Sequence, residues 1–427
     1  MKRARWMFIA PLFTLAAMVL SACNGDDGPL PVSSVEVTPA TATLAALGAT
    51  QQFSAVAEDA NGNTITGVTF TWASSNTNVA TVDANGLATA VADGNTQITA
   101  TTTDGPSGSA DLTVAQQTAT ITVSPDPATL IGIGGTLQFN AEAFDANGFT
   151  LGTQPTVTWA SGDDAVATVD AVGLATAQAK GAVQIWATAD LVSGNSDLTV
   201  LGILHWSDFN VGTSAVPGAL TLVGVTATDA VGDFDFVTLL QQGGWGLVVF
   251  GEQGGYPFSG AVQTELTTYV TGGGELLGTT WLTSPFAAFM EATATGFNYG
   301  ALIPDGHPIF AGFAGPIALS NPGWGVYAVR YQPAGAGVCI GSTDAGDCAA
   351  ILGNGGSTLL LGPLFDTYAT LAEGEQLVAQ SMQFLIDQAT AAPTAGLTVG
   401  VQPRRAVEPT SPATGQRLQN VKKSGAQ

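Results

Sequence analysis

Between Ser33 and Leu201 apolar and polar residues alternate in short runs. Runs rich in Val, Thr, Ile and Phe are broken by Asn-Gly, Asp-Gly and Gly-Gly at intervals of about 8 to 12 residues, the pattern of an antiparallel sandwich. Helical periodicity is absent from this stretch. Asn61-Gly62 and Asn147-Gly148 offer the positive φ angles that tight hairpins require. Trp72 and Trp159 fall inside such runs, with Val68, Phe70 or Val157 at alternate positions. A period of two sends alternate side chains to one face, so each indole is expected to plug its sandwich core.

Beyond Leu201 the pattern changes. Gly202 to Trp206 reads as a buried strand, Phe234 to Gln242 as a helix, and Trp245 to Phe250 as a second strand. Ser259 to Val270 reads as an amphipathic helix stopped by Gly272-Gly273-Gly274, and Glu275 to Trp281 as a third strand. Strands alternating with helices imply crossovers and a parallel sheet covered on both faces. Val326 to Tyr331, Gly337 to Ile340 and Thr358 to Leu361 extend the sheet, and a helix from Glu373 to Ile386 closes the domain.

The first region is written twice. Val37-Thr38-Pro39 returns as Val123-Ser124-Pro125, and Asp59-Ala60-Asn61-Gly62 as Asp145-Ala146-Asn147-Gly148, at an offset of 86. Thr71-Trp72 returns as Thr158-Trp159, and Val79 to Asp83 as Val166 to Asp170, at an offset of 87. Repetition on this scale marks a duplicated structural unit. The Val-x-Pro start, the mid-domain Thr-Trp and the Val-Ala-Thr-Val-Asp block resemble the bacterial Ig-like group 2 family, over residues 33–115 and 118–201. The resemblance implies a spacer or adhesion module. Asp83 and Asp170 are expected to form turns, since one carboxylate per turn is too few for calcium.

The run from Trp245 to Trp281, with its Gly-rich loop and the helix ending in Tyr-Val-Thr-Gly-Gly-Gly, resembles the class I glutamine amidotransferase-like fold. The trehalose-utilisation-protein-like branch is nearer, because His307-Pro308-Ile309 follows. The fold class implied is therefore two all-β Ig-like sandwiches followed by an α/β flavodoxin-like domain over residues 202–388. Amidotransferases place a cysteine on the turn after the strand that here ends in Leu277-Gly278; this chain has Thr279 and Thr280. Glutaminase chemistry needs that activated thiol, so it is excluded.

A different hydrolase would draw on His205, Asp208, Glu252, Thr280 and His307, which fall near strand ends where α/β sheets place ligands. The competing reading has His205 packing beside Trp206 and His307-Pro308 shaping a turn. Tyr256, Tyr299 and Trp324 stand in glycine-rich loops, and aromatic faces near carboxylates suit sugar rings. Core packing explains them equally well.

Charge and the chain ends place the protein. Lys2, Arg3 and Arg5 precede an apolar stretch from Trp6 to Leu20 and then Leu20-Ser21-Ala22-Cys23. Residues 1–22 read as a secretory signal, and the last four resemble a lipobox with Cys23 as the lipidated first mature residue. The stretch falls short of the roughly 20 residues of a spanning helix. Asn24 after the cysteine implies, by the same resemblance, the outer membrane. Residues 23–32 form a tether.

Residues 24–400 hold only Lys180 and Arg330 against 32 acidic side chains, so the body sits near −30. That field argues against nucleic acid. Cys339 and Cys348 are expected to pair in an oxidising compartment. No metal or cofactor is implied, since His205 and His307 are the only histidines. Residues 389–427, with Arg404, Arg405, Arg417, Lys422 and Lys423, read as a disordered basic tail. Together these point to a membrane-anchored surface protein that binds a glycan or an envelope protein without catalysis. The alternative is a carbohydrate-active enzyme in the C-terminal domain.

Overall fold

The computed structural model describes residues 31–103, 105–208, 212–252, 259–280, 285–320 and 328–391. The chain divides into two compact units, Met1–Gln116 and Gln117–Gln427. The signal segment, Cys23 and the tail beyond residue 391 lie outside the described residues.

The first unit is an all-β sandwich. Thr41–Leu44, Ser107–Val114, Gly94–Thr102 and Phe70–Ser74 form one four-stranded sheet, and Ser34–Thr38, Ser54–Glu58 and Thr64–Ile65 a second sheet. Thr50–Gln52, Leu87–Ala90 and Ala80–Val82 complete it. Strand alternation fills the interior: Ile98, Ala100, Ala110 and Leu112 are buried while Gln97, Ser109 and Asp111 face out.

Trp72 does not occupy the centre. Phe53, Ile98 and Leu112 do, at 1%, 0% and 0% exposure, and the indole packs half-buried at the margin of the core. Trp159 sits likewise in the second sandwich, where Phe139, Ile185 and Leu198 fill the centre. Small alanines line much of each inner face, so the sheets approach closely and the large ring is left to cover the edge.

That edge explains the turn after Asp83. Gly86 has φ +82°, and a Cβ there would lie 2.6 Å from the Phe53 carbonyl oxygen and 2.8 Å from the Trp72 ring. Gly173 repeats this with φ +86°, Phe139 and Trp159. Asp83 builds the same turn by accepting the backbone N–H groups of Asn85 at 2.8 Å and Leu87 at 2.9 Å. Hydrogen bonds, the Leu87 N–H foremost, hold its carboxyl below the ordinary 3.8.

The second sandwich does not end where its repeat ends. Val192–Ser207 is a single strand of 16 residues. Its first part pairs antiparallel with Gly181–Ala189 and parallel with Ala128–Ile131. From Gly202 to Ser207 it pairs parallel with Trp245–Glu252. The expected boundary at Leu201 thus falls inside one strand.

That strand opens a parallel sheet in the spatial order Thr228–Asp229, Val192–Ser207, Trp245–Glu252, Glu275–Thr280, Thr358–Leu361. Cys348–Gly353, Val338–Thr343 and Ala301–Pro304 then continue it antiparallel, so this region carries more strand and less helix than the sequence pattern predicts. Helices Val216–Val223 and Leu371–Ala391 cover one face through Val216, Ala219, Leu377 and Met382. Helices Gly232–Gln242 and Gly260–Thr271 cover the other through Phe236, Leu240, Val262 and Leu266.

The junction between sandwich and parallel sheet is packed tightly. Ile131 lies against Gly246, where a Cβ would come within 2.6 Å of its side chain. The Lys180 ammonium stands 3.4 Å from the Trp245 ring centroid and donates to the Gly243 carbonyl at 3.2 Å. Burial there pulls the Lys180 pKa down. Ile133 bridges Thr226.

Two outcomes follow from this build. Calorimetry should resolve two transitions, and Leu198→Ala should lower the one for residues 117–391 as a whole, by about 2–5 kcal/mol, leaving the first unit unmoved. Asp83 adds stability that is full above pH 3.8 and is lost as pH falls through its lower folded value. Denaturation midpoints of Asp83→Ala against pH should therefore converge on the parent protein at low pH.

Candidate functional site

Parallel strands Trp245–Glu252 and Glu275–Thr280 end together, and their last residues are register partners. Alternation turns Glu252 to the same face as Val248 and Phe250, and Thr280 to the face of Leu276. The Thr280 hydroxyl donates to Glu252 Oε2 at 2.8 Å. Both are interior, Glu252 at 3% and Thr280 at 0% exposure. Thr279 points the opposite way and donates to the Pro363 carbonyl at 3.0 Å.

Tyr331, buried on the Val329–Pro333 strand, lies within reach of the Glu252 charge. Burial raises its phenol far above the ordinary value, and the Glu252 charge adds to the rise. The phenol stays protonated at neutral pH. Nothing in the sequence marks Tyr331 for this position, because its strand reaches the site through pairings remote in the chain.

The histidines stand elsewhere. His205 shares the parity of Ile203, which faces the Val216–Val223 and Leu371–Ala391 side of the sheet. Its Nδ1 meets Asp229 Oδ1 at 2.6 Å, with the His205 side chain 14% and that of Asp229 77% exposed. His307 caps the short helical turn Pro308–Phe310 by accepting the Ile309 N–H, and its ring meets Phe384 edge-on at 4.9 Å. Phe384 belongs to the helix on the face away from Glu252 and Thr280. Asp208 is exposed, its backbone N–H on the Gly251 carbonyl. The structure therefore unites Glu252 with Thr280 and separates both histidines from them. A hydroxyl with a carboxylate partner remains, closed off in the interior, without the imidazole that a nucleophile and base arrangement would use.

Tyr299 offers no platform to a sugar ring. It is 5% exposed within the core, and its phenol is raised first by burial and then by Tyr368 and Tyr331. Its loop folds inward because the small Gly362 lets the phenol approach the strand end. Tyr256 and Trp324 lie outside the described residues.

Cys339 and Cys348 form a disulfide, with Cα atoms 5.8 Å apart, across the hairpin of Val338–Thr343 and Cys348–Gly353. Arg330 Nη1 meets Asp347 at 3.0 Å beside it. Among the described residues there is no His, Cys, Asp and Glu cluster fit for a metal ion, and no helix long and apolar enough to cross a membrane.

The Glu252 pair can be tested by stability. Thr280→Val removes one donor from a buried carboxyl and should cost about 1–3 kcal/mol in the urea transition of the second unit. Thr280→Ser should recover most of it; a Val variant as stable as the parent would show that the bond contributes nothing.

Residues 31–114 and 117–200 each match the family described as Bacterial Ig-like domain (group 2). Ice-binding protein 1 of Shewanella frigidimarina is 36% identical over 172 residues, which is 40% of this chain and 19% of that protein. The Escherichia coli adhesin FdeC overlays 40% of this chain and 66% of its own at TM-score 0.27 and 20% identity. A Thermoplasma acidophilum protein assigned as a GMP synthase component overlays 44% of this chain and 94% of its own at TM-score 0.32 and 13% identity. The duplicated sandwiches of residues 31–114 and 117–200 are bacterial Ig-like domains of group 2.

Proposed function

We propose that this chain is an exported, lipid-anchored protein of the bacterial cell surface, held at Cys23 in the outer membrane. Its C-terminal domain binds a glycan or an envelope protein without catalysing a reaction. The observation that carries the reading is the continuous strand Val192–Ser207. It makes the second Ig-like domain and the parallel sheet one body, so the sandwich presents the sheet without a hinge between them.

Other features support the same reading. Ig-like repeats are spacer and adhesion modules by resemblance, and the acidic body keeps an exposed protein soluble. We read the parallel sheet as amidotransferase-like, with Thr280 where the nucleophile would stand. Its hydroxyl is engaged by Glu252 in the interior, a poor position for attacking an external substrate. The ice-binding relative adds ice to the surfaces worth assaying, although the match covers 19% of that protein.

Two experiments test the reading. Cys23→Ser should abolish incorporation of labelled palmitate and move the chain from the membrane to the soluble fraction; a variant that stays membrane-bound sinks the anchor. Aryl glycosides should give no turnover with the purified chain. Turnover that disappears in Glu252→Gln would replace this reading with an enzyme.

A further inference from the structure

We propose that the outer face of the second Ig-like domain is a carbohydrate-binding platform centred on Trp186, and that it takes a pyranose ring of a neutral polysaccharide. This site is separate from the C-terminal domain and does not depend on that domain being a binder.

Strand Gly181–Ala189 sends Val183, Ile185, Ala187 and Ala189 into the sandwich core. Gln184, Trp186 and Thr188 therefore lie on the opposite face, and Trp186 is only half-buried there. Its cross-strand neighbours are unequal. Ala160 lies on one side and Asn195 on the other. Ala160 has only a methyl group to set against the indole on that flank. Gln184 and Asp197 form the next rung, with Gln184 Nε2 donating to Asp197 Oδ1 at 3.0 Å.

Two polar groups at the centre of this face are unused by the protein. Among the described residues the Trp186 indole N–H and the Asn195 carboxamide form no hydrogen bond. Trp245, by contrast, donates its indole N–H to the Leu239 carbonyl at 2.6 Å. A partly exposed indole whose N–H bonds no other described residue, beside a carboxamide and a carboxylate, suits a sugar: apolar C–H groups stack while hydroxyls bond around the rim. The rungs around Trp186 carry Asp197 and no Lys or Arg, which favours a neutral glycan over an acidic one.

The twin domain shows that Trp186 is not needed for the fold. At an offset of 87 its position is Thr99, on the same strand of the same sandwich. The polar rung is kept there, with Gln97 Nε2 on Asp111 Oδ1 at 3.0 Å. The first domain thus builds the same sheet with a small hydroxyl where the second carries a large aromatic.

The test uses the full mature chain in detergent, titrated with laminarin, xyloglucan and chitohexaose by calorimetry and indole fluorescence. At least one should bind, and Trp186→Ala should weaken it at least about tenfold, with its unfolding midpoint unchanged and Trp186→Phe retaining part of the affinity. Thr99→Ala should bind as the parent does. Absence of binding by all three glycans at millimolar concentration overturns the proposal. So does a folded Trp186→Ala variant that binds like the parent, an outcome that would assign the sugar to the C-terminal domain and leave the function proposed above intact.

Discussion

One strand is shared by three hydrophobic cores. Within Val192–Ser207, Leu198 and Val200 belong to the core of the second sandwich, Ile203 to one face of the parallel sheet, and Leu204 and Trp206 to the other. Side chains alternate with a period of two, so a slip of one residue would turn Leu198 and Val200 out of the sandwich and exchange Ile203 with Leu204 and Trp206 between the two faces of the parallel sheet. The register of the parallel sheet is thereby set by an Ig-like domain. Ile131 and the Lys180 ammonium over Trp245 fix the joint from either side.

From that register the interior pair follows. Once Val249 aligns with Leu277, Glu252 must align with Thr280, and both fall on the face that buries Phe250 and Phe236. A buried carboxyl is costly unless it receives hydrogen bonds, and the Thr280 hydroxyl supplies one. The same parity sends His205 to the other face, where Asp229 holds it. Two residues that both stand near strand ends need not meet in space.

The repeat offers a comparison that an isolated domain cannot. The two copies share their buried Phe, their Gly beneath the marginal Trp and their Gln to Asp rung. These shared features answer to the requirements of the sandwich. Where the copies differ, at Thr99 and Trp186, the fold tolerates either residue and the difference bears on the surface. The marginal seats of Trp72 and Trp159 have a related origin: size alone argues for the centre, but an inner face lined with alanine is too thin for an indole.

Legible in the chain alone are the duplicated sandwiches, the turns at Asp83 and Asp170, the partnership of Cys339 and Cys348, the starts of the parallel strands at Trp245, Glu275 and Thr358, and most helices. These depend on local periods, on glycine at positive φ and on short separations, all of which act within a few residues. Packing in three dimensions settles the rest: Leu201 lies within one continuous strand, Glu252 meets Thr280 beside Tyr331, both histidines stand apart, and Tyr299 is enclosed. Each of those depends on which strands lie side by side and on which face a residue takes. That choice is made by burying distant apolar side chains together, so it is a property of the packed chain and of no single segment.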